Sequence, residues 1–217
     1  MTSTAREVRA ALEAAASEVE RAKIRGRMTD DATQVIGVRM GTVFEIARLH
    51  TAMPLEEVDA LLDSDVYEER MVAVSILDFK ARVRGADRAA LYGLWMRRLD
   101  RIDTWDYIDR SAPRVVGWYL LDKPRDVLFE LARSPNRWHR RIAITAAFWI
   151  IRAGDLDDPL ALCEILAADA EHLVQTNVGV ALREIGRVDR GRLEEFLSRR
   201  GEDLSSTARR TARTALS

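Results

Sequence analysis

The stretch that decides the fold is Tyr67-Glu-Glu-Arg-Met-Val-Ala73. The same kind of helix opening returns as Trp138-His-Arg-Arg-Ile-Ala143, Val174-Gln-Thr-Asn-Val-Gly179 and Thr207-Ala-Arg-Arg-Thr-Ala212, with a weaker copy that begins at Trp105. The starts lie about 35 residues apart, a period typical of helix pairs that stack into solenoids. The sequence therefore predicts an all-α chain in which each repeat is a pair of antiparallel helices.

The spacing of apolar and capping residues supports this register. Apolar side chains recur three or four residues apart, as in Val72-x-x-x-Ile76, and no stretch alternates with period two. Capping residues precede three of the openings: Ser64 and Asp65, Ser134 to Asn136, and Ser205 with Ser206. We therefore predict a HEAT-like α-α superhelix with a concave groove, and one domain over residues 1–217.

Length and composition set further limits on the class of protein. The 217 residues are 47% hydrophobic and can bury a sizeable core, yet no apolar run approaches the roughly 20 residues that a membrane span needs. The N-terminus is charged where a signal peptide would be apolar. We expect a cytoplasmic monomer that does not bind membranes.

Metal and cofactor sites are not predicted. Cys163 is the only cysteine, so it cannot form an intramolecular disulfide and is most simply a core residue. His50, His139 and His172 lie far apart without metal-ligand spacing. Three tryptophans fall on apolar helical stripes and are expected in the core: Trp95, Trp118 and Trp149. For Trp118 a supporting role beside the segment 105–109 stays open, because it follows that segment closely in the chain.

The charge pattern leaves two interpretations open. A net charge of −1 argues against a protein that coats nucleic acid, so any DNA-binding surface must be local. First-turn arginines such as Arg70 and Arg141 would attract phosphates if aligned on one face, or would simply pair with nearby acids such as Asp65, Glu68 and Glu69. The basic run at 21–27, followed by Asp30-Asp31, predicts a helix end and a turn.

One segment breaks the repeat pattern. Trp105-Asp-Tyr-Ile-Asp109 places an indole and a carboxylate four residues apart, hence on the same helical face. Aromatic rings stack on bases, and a carboxylate beside an apolar ring can stabilise an electron-poor carbon. Spacing alone, however, favours a core Trp105 and a surface Asp109.

Three stretches, in this order and spacing, resemble the bacterial AlkD-type DNA alkylation repair family: Thr104 to Pro113, Arg137 to Ile144, and Gly179 to Gly186. The turn Gly37-Val-Arg-Met-Gly41 is similar to that family's N-terminal turn. The family consists of HEAT-like repeat glycosylases that remove cationic N3- and N7-alkylated purines from double-stranded DNA without flipping the base.

The resemblance implies roles for particular residues. Asp109 matches the catalytic aspartate, which would stabilise the oxocarbenium ion at C1′, and Trp105 matches the active-site tryptophan. Arg141 matches the arginine that holds the DNA backbone. Three further arginines of these matching segments, Arg39, Arg140 and Arg183, are expected to contact DNA as well.

The chain also departs from the family at two cleft walls. Val180 stands where the family often has a tryptophan, and Met28 stands where it often has a tyrosine. These losses suggest a different or bulkier lesion, or a non-catalytic paralogue that binds unusual DNA structures. A protein-binding HEAT adapter is a third interpretation. A salt bridge that buries Asp109 against Arg141 or Arg110 would argue against catalysis.

Overall fold

The computed structural model describes residues 3–26, 28 and 33–217, which form thirteen α-helices and one isolated β-bridge between Gln34 and Val66. The predicted all-α fold is thereby confirmed. The chain divides into two compact units, Met1–Ile102 and Asp103–Ser217. Across these described ranges no helix is long and apolar enough to cross a membrane.

The first unit is built around one long helix. Its elements are α1 Ala5–Ala14, α2 Glu18–Arg25, α3 Met40–Leu49, α4 Leu55–Leu62, α5 Tyr67–Ala81, α6 Arg88–Arg97 and a 3₁₀ turn Leu99–Arg101. Helix α5 is buried along nearly all of its length and packs against α3 and α4. It begins at Tyr67 as predicted, but Val66 is the N-cap residue, and Ser64 accepts a hydrogen bond from the Val66 N–H instead.

A buried carboxylate organises the turn at Gly37. Glu68 accepts hydrogen bonds from the backbone N–H groups of Ile36, Gly37 and Val38 at 3.1, 2.8 and 3.2 Å. Gly37 has a φ of +91°, which side-chain-bearing residues rarely adopt, and a Cβ there would lie 2.3 Å from the Ser17 carbonyl oxygen. The predicted N-terminal turn therefore forms because its N–H groups have a buried acceptor.

The other acids near α5 are also engaged. Glu69 pairs with Arg9 at 2.9 Å, and Asp65 pairs with Arg101 at 3.0 Å. Arg70 is only 3% exposed and donates to the Arg101 carbonyl and the Thr33 hydroxyl. Its burial rules out the interpretation that Arg70 faces solvent to attract phosphate.

The basic run at 21–27 ends a helix, as predicted. Helix α2 ends at Arg25, with Gly26 as its C-cap residue, and Lys23 and Arg25 lie in its last turn. Cations are favourable at this negative end of the helix dipole. Arg27 and Asp30-Asp31 lie outside the described residues.

The second unit has two layers of helices. Its elements are α7 Trp105–Ala112, a π-helical turn Pro113–Gly117, a 3₁₀ turn Tyr119–Asp122, α8 Asp126–Ala132, α9 Arg137–Arg152, α10 Asp157–Leu166, α11 His172–Val188, α12 Arg190–Arg200 and α13 Ser206–Arg213. Helices α7, α9, α11 and α13 pack side by side, and α8, α10 and α12 cover them. The predicted openings at 138, 174 and 207 agree with these helix starts to within two residues.

Helices α11 and α13 approach each other closely at a glycine. A Cβ on Gly179 would lie 2.7 Å from the Cα and the carbonyl oxygen of Ala208, so a larger residue would force the helices apart. Cys163 on α10 is fully buried, as predicted, and burial raises the pKa of its thiol. Trp95 is also core, but Trp118 and Trp149 are only half-buried, so the core prediction is wrong for these two.

Asn136→Ala is expected to lower the free energy of unfolding by about 1 kcal/mol, because the substitution removes an N-cap. The Asn136 side chain accepts from the Trp138 N–H at 2.9 Å at the start of α9. Urea unfolding measures the change. Asn136→Asp keeps an acceptor and should restore stability, and equal losses in both variants would contradict a capping role.

One cooperative unfolding transition is expected for the whole chain, although the contacts divide it into two units. We predict this because the sequence indicates one continuous array of repeats, and neighbouring repeats in short helical arrays generally unfold together. Thermal unfolding followed by circular dichroism and by tryptophan fluorescence provides the measurement. Two separated transitions, or disagreement between the two signals, would contradict the single domain over residues 1–217.

Candidate active site

The centre of the candidate site is the carboxylate of Asp109 on α7. Arg141, from the first turns of α9, holds it in a bidentate ion pair: Nε lies 3.1 Å from Oδ1, and Nη2 lies 2.6 Å from Oδ2. The Arg141 side chain is 3% exposed, whereas the Asp109 side chain is 34% exposed. The ion pair therefore orients Asp109 without burying it.

Two further side chains complete the support. Asn177 on α11 donates from Nδ2 to Oδ1 of Asp109 at 3.1 Å and to the Thr145 hydroxyl at 2.7 Å. The Thr145 hydroxyl donates to the Arg141 carbonyl, and Nη1 of Arg141 donates to the Leu173 carbonyl. We call Asp109, Arg141, Thr145 and Asn177 the Asp109 cluster. It joins α7, α9 and α11.

Sequence reasoning did not identify Asn177 or Thr145 as part of a site. A signal for Asn177 was present, since Asn177 and Arg141 occupy the fourth position of their respective repeat openings. Equivalent positions in neighbouring repeats lie side by side in a stacked array. Nothing comparable marks Thr145, which reads as one more residue of a buried helix.

Trp105 is the first residue of α7, one turn before Asp109, and it is 39% exposed. The interpretation that Trp105 belongs to the core is therefore wrong. An exposed indole on the same helical face as an exposed carboxylate can contact a bound molecule together with it. The structure thus places the two proposed catalytic residues where both are accessible.

The two arginines expected to grip DNA from α9 are engaged inside the protein. Arg140 pairs with the buried Asp169, with Nε 2.6 Å from Oδ2, and also donates to the carbonyls of Ser134 and Pro135. Its hydrogen bond to Asp169 raises the pKa of Arg140. Arg141 donates hydrogen bonds to the Asp109 carboxylate and to the Leu173 carbonyl. This geometry does not support the prediction that Arg140 and Arg141 hold phosphates, because their guanidinium groups already connect helices.

Arg183 and Val180 lie on the exposed side of α11. Arg183 shares Glu184 with Arg187, at 2.8 Å in each pair. Burial favours a raised pKa for Glu184, but hydrogen bonds from Arg183 and Arg187 outweigh it and lower that pKa. Val180 lines an open groove of about 600 Å³. The position where the family often has a tryptophan therefore borders open space in this protein.

The remaining two predicted residues belong to the first unit. Arg39 is exposed at the N-cap of α3, and Met28 is partly exposed. The Arg39 side chain has no hydrogen-bond or ion-pair partner among the residues that the structure describes. Its contact with DNA and the role of Met28 as a cleft wall stay predictions.

The layered helix pairs and the Asp109 cluster define a HEAT-like repeat protein with a candidate site on α7, α9 and α11. The family described as DNA alkylation repair enzyme matches residues 8–216, and the chain belongs to this family. The family assignment from sequence is thereby confirmed.

Solved structures are similar over nearly the whole chain. A predicted DNA alkylation repair enzyme from Enterococcus faecalis is 16% identical, with a TM-score of 0.68 over 93% of this chain and 97% of that chain. A protein described as belonging to a new family related to the HEAT-like repeat DNA glycosylases, with affinity for branched DNA structures, is also 16% identical, with a TM-score of 0.67 over 99% and 94%. At this identity the likeness concerns the fold. Comparison with curated proteins gives no match.

Proposed function

We propose that the protein is a DNA glycosylase that removes cationic N3- or N7-alkylated purines from duplex DNA. The observation that carries this proposal is the Asp109 carboxylate, which three hydrogen bonds hold in one orientation while a third of its surface stays open beside the exposed Trp105. Pre-organised charge of this kind is an effective way to stabilise a cationic transition state. Membership of the family favours DNA as the partner.

Cleavage of the bond between the sugar and a cationic purine needs few further groups from the protein. The bond between C1′ and the purine nitrogen breaks, and its electron pair leaves with the base, which departs neutral because it began as a cation. The sugar becomes an oxocarbenium ion that Asp109 stabilises, and water adds to C1′ and loses a proton. The face of the Trp105 ring would pack against the sugar and its positive centre. We further propose that the damaged base stays stacked in the duplex during the reaction. The protein would act in the cytoplasm, as a monomer and without a cofactor.

Arg141 acts through Asp109 in this scheme. Its positive charge reduces the field that the carboxylate projects, but its two parallel hydrogen bonds fix the direction of the exposed oxygen surface. We therefore assign Arg141, Thr145 and Asn177 as positioning residues and keep the catalytic role for Asp109 and Trp105.

A second candidate is a non-catalytic protein that binds branched DNA. The ion pair between Arg141 and Asp109, together with Val180 in place of an aromatic wall, favours it, and one structural relative is described as having affinity for branched DNA. No particular contact in the described residues favours a protein-binding adapter.

The decisive experiment measures free base released from duplex DNA that carries N7-methylguanine, with undamaged duplex as the control. The same preparation is tested for binding to a three-way junction and to a linear duplex of equal length. Base release supports the glycosylase. Tight, junction-selective binding without release from N7-methylguanine or N3-methyladenine would overturn it in favour of the second candidate.

A further inference from the structure

A second surface of interest is the groove of about 600 Å³ that Val180 lines in the second unit. It lies between the C-terminal halves of α9 and α11 and the π-helical turn. Its walls combine the aromatic residues Phe148 and Trp149 with the arginines Arg114, Arg152 and Arg187. Arginine beside aromatic rings is a composition typical of nucleic-acid contact surfaces.

The tryptophan in this groove holds two of the arginines in place. The Cζ atoms of Arg114 and Arg152 lie 5.0 and 5.2 Å from the centroid of the Trp149 ring, within cation–π range. Trp149 is in turn stacked on Trp118, with centroids 4.8 Å apart and 22° between the planes. Side chains held in this way lose less conformational entropy when they bind a ligand.

The guanidinium group of Arg152 is also available for an anion. Arg152 is exposed, and its side chain makes no hydrogen bond or ion pair with any residue in the described part of the chain. Glu184 is the only acid in the groove lining, and Arg183 and Arg187 already share it. The groove therefore carries a net positive charge.

The groove follows the same helix faces as the Asp109 cluster. Arg152 comes eleven residues after Arg141, which is about three turns and about 16 Å along α9 on nearly the same side. On α11, Val180 comes three residues after Asn177. Since phosphates on one strand of duplex DNA recur about every 3.4 Å of axis, a duplex at Asp109 would extend along this distance.

We propose that Arg152, held on the Trp149 ring beside Arg114, forms a clamp for a backbone phosphate of DNA. The clamp rests on the proposed function only in taking DNA as its ligand. It supplies the contact that the buried Arg141 is not free to make. The planar guanidinium group suits bidentate contact with phosphate oxygens.

The test is the salt dependence of binding to an undamaged DNA duplex, measured by fluorescence anisotropy at several chloride concentrations. Arg152→Gln should weaken binding about tenfold at low salt and reduce the slope of log K against log salt by about 0.9, because one phosphate contact is lost. The double variant Arg114→Gln/Arg152→Gln should lose more of both. Circular dichroism checks the fold of each variant.

Arg133→Gln is the matched control. Arg133 is an exposed arginine that also lies over an aromatic ring, 5.9 Å from the centroid of Phe129, but it lies outside the groove. Its loss should leave the slope unchanged. Equal effects of Arg133→Gln and Arg152→Gln, no effect of the double variant, or a wild-type protein that does not bind DNA would each overturn the clamp.

The clamp and the glycosylase can fail separately. If the wild-type protein releases no base but Arg152→Gln still reduces the salt slope, the clamp stands and the proposed catalysis fails. If base is released while the double variant binds DNA as well as wild type does, the catalysis stands and the clamp fails.

Discussion

Asp109→Asn is expected to reduce the rate of N7-methylguanine release by about 100- to 1,000-fold. The substitution removes the negative charge that would stabilise the oxocarbenium ion, and groups aimed at transition-state charge contribute on this order. It also places an amide where two carboxylate oxygens now accept from Arg141. Single-turnover release of labelled base from duplex DNA gives the rate of the chemical step directly.

The control for this variant is Asp126→Asn, which removes an exposed acid from the first turn of α8 in the same unit. It should release base at the wild-type rate. Binding of both variants to undamaged duplex should stay within a few fold of wild type. A fully active Asp109→Asn variant would remove Asp109 from the mechanism, and a comparable loss in Asp126→Asn would attribute the effect to charge or folding in general.

Arg141→Met is expected to lower the free energy of unfolding by about 3 kcal/mol. Arg141 is 3% exposed, and its loss removes both ion-pair hydrogen bonds to the Asp109 carboxylate, which keeps the one from Asn177, and the hydrogen bond to the Leu173 carbonyl. The value lies at the low end for a broken buried ion pair because Asp109 keeps contact with solvent. Urea unfolding measures the change, and Arg133→Met, at an exposed arginine, should cost less than about 0.5 kcal/mol.

Arg141→Met should also slow base release, by about 100-fold, because a carboxylate that is no longer held in place spends less time in the productive orientation. The double variant Asp109→Asn/Arg141→Met distinguishes positioning from direct contact. If Arg141 acts through Asp109, the double variant is no slower than Asp109→Asn alone. A further large loss in the double variant would show that Arg141 contacts DNA itself, contrary to the burial of its guanidinium group.

The bidentate ion pair bears on the role that the family resemblance implies for Arg141. The resemblance implies that Arg141 contacts the DNA backbone, yet its side chain is 3% exposed and donates to Asp109 and to the Leu173 carbonyl. Exposed arginines elsewhere on the same helices, such as Arg152, have the charge and the freedom for that contact. The two proposals thus assign backbone binding and catalytic positioning to different residues of α9, Arg152 and Arg141.

The sequence by itself determined the helical class, the repeat and the position of Asp109. Helix periodicity and capping are local properties, so Tyr67, Trp105 and Asn136 could be placed at helix starts from neighbouring residues alone. The repeat of openings predicted that Arg141 and Asn177 occupy equivalent places. The order and spacing of the family motifs predicted Asp109 and Trp105 as catalytic residues.

Only the tertiary structure decided which charges are free and which are paired. Asp109 meets Arg141 from 32 residues away and Asn177 from 68 residues away, and no local pattern records those contacts. Trp118 and Trp149 likewise fall on apolar stripes of the sequence, but in the structure they are half-buried and stacked on each other, and Arg114 and Arg152 lie over Trp149. The physical reason is that a side chain's partner depends on how helices pack, whereas its place on a helix depends on the chain around it.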